Sequence, residues 1–310
     1  MPRSSKSAQR PFRISLPATS ANLGPAFDAA ALAFDRHLTL EARPASQYSI
    51  QATGRDAAIC GNLDNHLILV TYREVLQDAG RTAVPLALKI TNDIPIGKGC
   101  GSSAAARLAG IALANHFGNL RWTDARIVGE ASRREHHPDN ASACWMGGLT
   151  VARMSGANQA QVACIRPKGK WPLLLAVPPD PLSTEEARRV LPAQYSRADA
   201  VANIQNSMLL LAAFLQGRPQ FLGAALEDRI HQPYRAPLCP LLPVARDLTA
   251  SPGFLGACLS GAGPSVLIFL DPRSTRPAKK LAALVAAHFQ AHGLSAELLL
   301  TSIATKGARG

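Results

Sequence analysis

Residues 95–106 read Pro-Ile-Gly-Lys-Gly-Cys-Gly-Ser-Ser-Ala-Ala-Ala, between a strand-like run at 86–91 and a helix-like run from Ser103 to about His116. Gly97, Gly99 and Gly101 stand on alternate positions and remove every Cβ that would keep a bulky anion from the backbone. Ser102 and Ser103 bring N-cap chemistry, and a helix behind them turns unpaired N–H groups and a positive dipole end towards the loop. Such a loop can cradle phosphate; taken alone it is as often a tight helix cap. It is not the nucleotide-binding P-loop, which needs Ser or Thr directly after Gly-Lys where this chain has Gly99. The dinucleotide fingerprint also fits poorly, because its sixth position needs Gly or Ala and here holds Ser102.

Other groups could complete a site. The segment 17–28, Pro-Ala-Thr-Ser-Ala-Asn-Leu-Gly-Pro-Ala-Phe-Asp, packs small polar residues, a Gly-Pro turn and a carboxylate between apolar runs. By composition it is also an ordinary strand-to-helix turn. Glu135-His136-His137-Pro138-Asp139-Asn140 offers imidazole, amide and carboxylate within six residues, although adjacent histidines lack the one-face spacing of helical zinc sites. Glu135, and more weakly Glu130, could reach a magnesium ion, which takes few protein ligands and prefers carboxylate and hydroxyl oxygen. Leu259-Ser260-Gly261-Ala262-Gly263-Pro264-Ser265 is a second place where backbone can approach a ligand closely. Thr184, Arg188 and Arg235 are polar residues in apolar-rich surroundings, and arginine's planar fork matches a carboxylate.

Period and punctuation give the elements that must carry these groups. Strands are predicted at 13–17, 37–43, 47–53 and 85–91, helices at 65–79 and 123–135, and a loop at 136–141. Strands follow at 148–154, 160–166 and 172–178. Ser183-Thr184-Glu185-Glu186 opens a helix that runs to about Val190 and is stopped by Pro192. Helices at 197–216, 219–229 and 240–249, strands at 256–259 and 265–270, a helix at 276–292 and a strand at 295–302 complete the chain. The mixture is α+β, with a boundary near 167–171. A polar, basic tail at 1–12 is expected to be mobile, followed by domains at 13–168 and 169–305.

The 310 residues are 47% hydrophobic and 17% charged, a globular composition. The net charge of +12 raises nucleic-acid binding as a class. That class calls for basic residues with interleaved aromatics, and aromatics are only 5%. A diffuse basic surface also suits polyanionic substrates. Six scattered cysteines without a C-x-x-C pair read as buried free thiols. No apolar signal core is seen at the N-terminus and no apolar run near the ~18 residues of a membrane span, so a soluble, cytoplasmic protein without membrane contact is expected.

The strings at 17–28, 95–106 and 260–265, in this order, resemble the three motifs of the GHMP kinase superfamily (galactokinase, homoserine kinase, mevalonate kinase, phosphomevalonate kinase). His137-Pro138-Asp139-Asn140 followed by Gly147-Gly148-Leu149, Thr184 with Arg188, and Asp228 with Arg235 resemble its homoserine kinase branch. The resemblance covers about 13–305. It implies a ribosomal S5-like N-terminal domain, a ferredoxin-like C-terminal domain and an active site between them. It further implies ATP at Pro95, Ile96, Gly97, Lys98, Gly99, Cys100, Gly101, Ser102 and Ser103, with Asn65 near the adenine. Mg²⁺ would sit on Ser102 or Ser103 and Glu135, with Glu130 as the alternative. L-homoserine would lie among Asn22, Asp28, His137, Asn140, Thr184, Arg188 and Arg235, on the route to threonine. Asn140 and Lys98 are the expected catalytic groups, nucleic acid is not an expected partner, and a homodimer is. The chain departs from the pattern at Ala26 and His136, where Gly is usual, at Ala30-Ala31 in place of Leu-Gly, and at Cys100 in place of Leu.

Overall fold

The computed structural model describes residues 11–308. Of the expected tail at 1–12, residues 1–10 lie outside the described residues, and Phe12 already opens the first strand. β1 (Phe12–Ala21), β2 (Ala30–Pro44), β3 (Ser49–Gly54), β4 (Leu86–Asn92), β5 (Leu149–Gly156) and β6 (Gln159–Ile165) form one sheet, in the order β3-β4-β2-β5-β6 with β1 paired to β2. Only the β3–β4 pair is parallel, and α1 (Ala57–Gly61) and α2 (Leu67–Asp78) supply the crossover that a parallel pair requires. In β4 the inward residues Leu86, Leu88, Ile90 and Asn92 alternate with more exposed ones, the period of a strand with one face on a core. α3 (Ser102–Phe117) packs between α2 and α4 (Asp124–Glu135). The loop expected at 136–141 is shorter than expected, because α5 (Asp139–Met146) starts inside it.

The second sheet contains β7 (Leu173–Val177), β8 (Phe254–Leu259), β9 (Val266–Leu270) and β10 (Glu297–Thr301), antiparallel in the order β10-β7-β9-β8. Between β7 and β8 run α6 (Thr184–Arg189), α7 (Arg197–Gln216), α8 (Leu222–Ala225), α9 (Gln232–Arg235) and α10 (Leu241–Asp247); α11 (Ala278–Ala291) joins β9 to β10. With α7 and α11 as crossovers this is the βαββαβ order of a ferredoxin-like sheet. The unbroken apolar runs of β7 and β9 follow from burial on both faces. Leu173 and Leu175 share a core with Phe214 of α7, whereas Leu174 and Ala176 share one with Val285 and Phe289 of α11. After β10 the chain returns to the first sheet, where the Ala304 amide donates to the Ala33 carbonyl and Ile303 bridges Phe34.

Three expectations need correction here. The helix predicted at 219–229 ends at Ala225, because the Asp228 carboxylate accepts from the N–H groups of Ile230, His231 and Gln232 and so starts α9 instead. Cys164 is exposed, although the other five thiols are buried. And α7 is, by length and composition, apolar enough to cross a membrane. Its inner face is nevertheless tied into the fold, since Asn203 Nδ2 and Ser207 Oγ both donate to the Pro25 carbonyl at 2.7 and 3.0 Å.

His231 joins the two halves of the molecule. It is fully buried, and its ring nitrogens lie 2.7 Å from the Gly24 carbonyl and 3.1 Å from Arg235 Nη1. A guanidinium only donates, so Nδ1 accepts and the Nε2–H donates to Gly24, which fixes a neutral tautomer. Burial, joined by the Arg235 charge, pushes this imidazole down to about 4 against the opposing pull of Asp228, the Gly24 bond and Asp28. Between about 4 and 6.5 the unfolded chain therefore binds a proton that folded His231 does not. Stability rises with pH across that window and is lost as pH falls through it. In urea titrations, wild type is expected to lose about 2 kcal/mol more than His231→Gln on going from pH 7 to pH 5; equal losses would contradict this account. A second expectation concerns His136, which ends α4 at φ 67, in the left-handed region. That conformation costs a residue with a Cβ about 1–2 kcal/mol, offset in part by glycine's greater freedom when unfolded. His136→Gly should raise stability by up to about 1 kcal/mol, read as a higher urea midpoint.

Candidate active site

The glycine loop lies where the two sheets meet. Gly97, Gly99 and Gly101 have φ 70, 74 and 71, all left-handed. A Cβ on Gly99 would collide with the carbonyl oxygens of Ser260 and Gly263, and one on Gly101 with the Thr19 hydroxyl. The loop is thus pressed between the segments 17–28 and 260–263. Ser260 Oγ donates to the Gly99 carbonyl at 2.8 Å, and the Thr19 and Leu182 amides donate to Cys100 and Gly97 at 3.1 and 3.2 Å. Gly101 is the N-cap of α3 and no side chain caps that helix, so its first-turn N–H groups are left for an incoming anion. Cys100 is buried and packs in the core, where burial pushes its thiol up to about 12. In that role it replaces an apolar side chain.

Two cavities share this loop. One, about 120 Å³, is lined by Asn22, Asp28, His137, Asn140, Thr184, Arg188 and Arg235, together with Asp139. The other, about 680 Å³, is an apolar cleft along α1, α2 and β4 with Asn65 and Ile96 on its wall. Gly97, Ser102 and Ser103 border both. Pro95 and Lys98 border neither; they face a separate hollow beside Arg55 and Pro178, and Lys98 Nζ donates to the Pro179 carbonyl. Burial lowers the Lys98 ammonium, against the opposing pull of Asp180 and Asp56.

Asn22 has φ 68, accepts the Asp28 amide at 2.9 Å and donates to the Gly261 carbonyl at 2.8 Å. Its side chain thus shapes the cavity by clasping two loops. The left-handed residues of this segment are Asn22, Leu23, Gly24 and Asp28; Ala26 is not among them, so its methyl meets no backbone strain. Ala31 lies in a small cluster made only of alanines, and Ala30 packs in the main core.

The cavity's charges are matched. Arg188 Nη2 donates to Asp28 Oδ1 at 2.7 Å, and Asp139 Oδ1 accepts from His137 Nδ1 and the Asn140 amide, both at 2.6 Å. Burial alone would push the His137 imidazole down, but the Asp139 hydrogen bond and the Asp139, Asp28 and Glu135 charges raise it above the ordinary value. Asp28, His137 and Asp139 present ligand atoms within 4.8 Å of one another, yet each carboxylate already has a cationic or N–H partner. Arg235 is 1% exposed, donates through Nε to the Ala187 carbonyl at 2.9 Å, and is lowered to about 10 by burial and by Arg188. Phe27 lies between these cations, with the Arg188 and Arg235 guanidinium carbons 5.4 and 5.3 Å from its ring centre.

The two serines and two glutamates expected near the metal position stand in different surroundings. Ser103 Oγ donates to Glu135 Oε1 at 2.7 Å and Arg107 Nε to the same oxygen at 2.5 Å, while Oε2 has no partner among the described residues. Ser102 lines both cavities without reaching Glu135. Glu130 lines neither cavity: it is buried against Arg133 and Arg134 at 2.6 and 3.1 Å, on the side of α4 that faces Glu74 and Asp78. A hydroxyl beside a carboxylate with one free oxygen fits Mg²⁺. Thr19, Phe27, Asp139 and His231 were not assigned by sequence reasoning. Thr19, whose hydroxyl donates to Asn140 Oδ1 at 2.6 Å, lay inside a string already singled out, and His231 is one helical turn before Arg235.

Comparison with known proteins agrees with this geometry. Family models described as GHMP kinases N terminal domain and GHMP kinases C terminal match residues 66–148 and 210–290. The chain is 41% identical to the homoserine kinase of Solibacter usitatus over 96% of both chains, and 37% identical to that of Deinococcus radiodurans over 87% of both. The crystal structure of homoserine kinase from Cytophaga hutchinsonii superposes with a TM-score of 0.80, at 23% identity and over 99% of this chain and 98% of that one, a likeness of fold. Sequence and fold together establish that the chain belongs to the GHMP kinase family, in its homoserine kinase branch.

Proposed function

We propose that this chain is an ATP-dependent homoserine kinase, which transfers a phosphoryl group from ATP to the side-chain hydroxyl of L-homoserine. The observation that carries this reading is the meeting of two unlike cavities at one uncapped helix N-terminus: a small charged one and a larger apolar one, sharing Gly97, Ser102 and Ser103. That is the arrangement a reaction needs when it brings a small polar acceptor and a nucleotide to one phosphate cradle.

In this reading the apolar cleft beside Asn65 takes the base, and the α3 N-terminus takes the phosphates. Ser103 and Glu135 would hold Mg²⁺, which when bound neutralises phosphate charge. Lys98 contributes only by leaving the Pro179 carbonyl, so the helix N-terminus and the metal position are assigned the larger share. A zwitterionic amino acid exchanges for the Asp28–Arg188 pair, its ammonium on Asp28 and its carboxylate on Arg188 and Arg235. Charge stays balanced in both states, and the two arginines can grip a carboxylate because Phe27 and the neutral His231 hold them side by side.

Asn140 stands nearest the place of a base in this cavity, and an amide does not accept a proton usefully. Its Oδ1 is held by Thr19 and its backbone by Asp139, so its orientation is set before substrate arrives. Rate enhancement then comes from positioning and charge stabilisation, with the hydroxyl proton passing to solvent or phosphate.

The deciding assay is ADP release with MgATP and homoserine, mevalonate or galactose in turn. Turnover with homoserine and far less with the others is expected, and none with homoserine would overturn the proposal. Asn140→Ala is expected to lower kcat about 100-fold, on the order of 3 kcal/mol for one transition-state hydrogen bond. Asn140→Asp should not exceed the wild-type rate; a clear gain would show that a base was wanted at this position.

A further inference from the structure

Asp56 breaks two local rules at once. It is the N-cap of α1, yet its side chain bonds no amide of that helix, which is the ordinary task of an aspartate there. It also holds φ 53, a left-handed conformation that suits glycine better. The carboxylate reaches instead across 40 positions, where Asp56 Oδ2 accepts the Ile96 amide at 3.2 Å. That amide is the last backbone donor before the glycine loop begins at Gly97, because Pro95 has no N–H. Upstream the chain is already fixed: buried Asn92 accepts the Ile94 amide at 3.1 Å and donates to the Ile94 and Arg55 carbonyls at 2.9 and 3.1 Å. The Arg55 amide in turn donates to the Asn92 carbonyl at 2.7 Å. Between Ile94 and Gly97, then, Asp56 alone holds the backbone among the described residues. The turn that carries it is anchored at its far side too, since Arg55 Nη1 and Nη2 donate to Glu297 of β10 at 2.8 and 2.6 Å, a bidentate pair between the two sheets.

Ile96 walls the apolar cleft on one side and the hollow that contains Asp56 on the other. Asp56 itself does not line the cleft, so it stands behind the wall. We propose that Asp56 is a positioning residue for the nucleotide, acting through the Ile96 amide to hold the cleft wall and the entry to the glycine loop in the shape that receives a nucleoside triphosphate. The inference rests on the assignment of ATP to the apolar cleft. Its sign separates it from plain electrostatics. Asp56 is a negative charge close enough to Lys98 to pull that ammonium upward. Removing a negative charge near the place of a polyanion tightens binding if charge alone counts. Losing the position of Ile96 weakens it.

The test compares wild type, Asp56→Gly and Asp56→Asn by calorimetric titration with Mg²⁺ and the non-hydrolysable ATP analogue AMPPNP, and by KM for ATP and for homoserine. Glycine removes the acceptor and suits the left-handed φ; asparagine tolerates that φ and keeps an acceptor oxygen without the charge. Asp56→Gly is expected to bind the analogue about fivefold more weakly, the size of one such hydrogen bond. KM for ATP should rise to match, with KM for homoserine unchanged and a urea midpoint no lower than that of wild type. Asp56→Asn is expected to bind as tightly as wild type or more tightly. Unchanged or tighter binding by Asp56→Gly overturns the proposal, as does an asparagine variant as weak as the glycine one. So does a loss shared equally by both substrates together with a lower urea midpoint, which marks a merely structural residue. The calorimetric arm needs no turnover: wild type that binds the analogue but leaves homoserine unphosphorylated refutes the acceptor assignment alone, and the variants still decide the role of Asp56. Wild type that binds no nucleotide overturns both.

Discussion

The clasp made by Asn22 is the constraint on which the rest of the site depends. One side-chain amide in a left-handed residue accepts the Asp28 N–H and donates to the Gly261 carbonyl, so that both rims of the small charged cavity are set by the same group. Gly261 returns a backbone bond to the Ala21 carbonyl, and Ser260 in turn holds Gly99. The glycine loop therefore has its conformation imposed from outside, by contacts too close to admit a Cβ at Gly99 or Gly101. A loop prepared in this way would need little reorganisation to receive an anion.

Around that frame the protein manages an electrostatic conflict. Two guanidiniums converge on one side of the cavity, and Arg235 is almost wholly buried. The repulsion and the desolvation are offset by the face of Phe27, by the Ala187 carbonyl and by Asp28. His231 contributes by staying neutral: protonated, it would set a third positive charge against Arg235 and lose its role as acceptor. The residue that orients the cation is thus chosen for the charge it does not carry.

Much of this was legible in the sequence, and for physical reasons. Strands and helices with strong periodicity fall close to where spacing puts them, α7 among them, and the glycine loop and its helix were visible because only glycine at alternate positions leaves the backbone so bare. What escaped were contacts between segments distant in the chain. Thr19 meets Asn140 across 121 positions, and His231 meets Gly24 across 207; neither spacing follows from any local period. The break after Ala225 was missed because a single carboxylate, Asp228, outcompetes the helix for amides. Lys98 shows a further gap: its place beside the glycines says nothing of the Pro179 carbonyl to which its side chain donates, 81 positions away.

The wall shared by the two cavities has a thermodynamic corollary. Gly97, Ser102 and Ser103 form part of both surfaces, so whatever occupies one cavity acts on a boundary of the other. Linkage then requires reciprocity: the factor by which the first occupant alters the affinity of the second is the factor by which the second alters the affinity of the first, whichever arrives earlier. A substitution that shifts this wall changes the two affinities as a coupled pair.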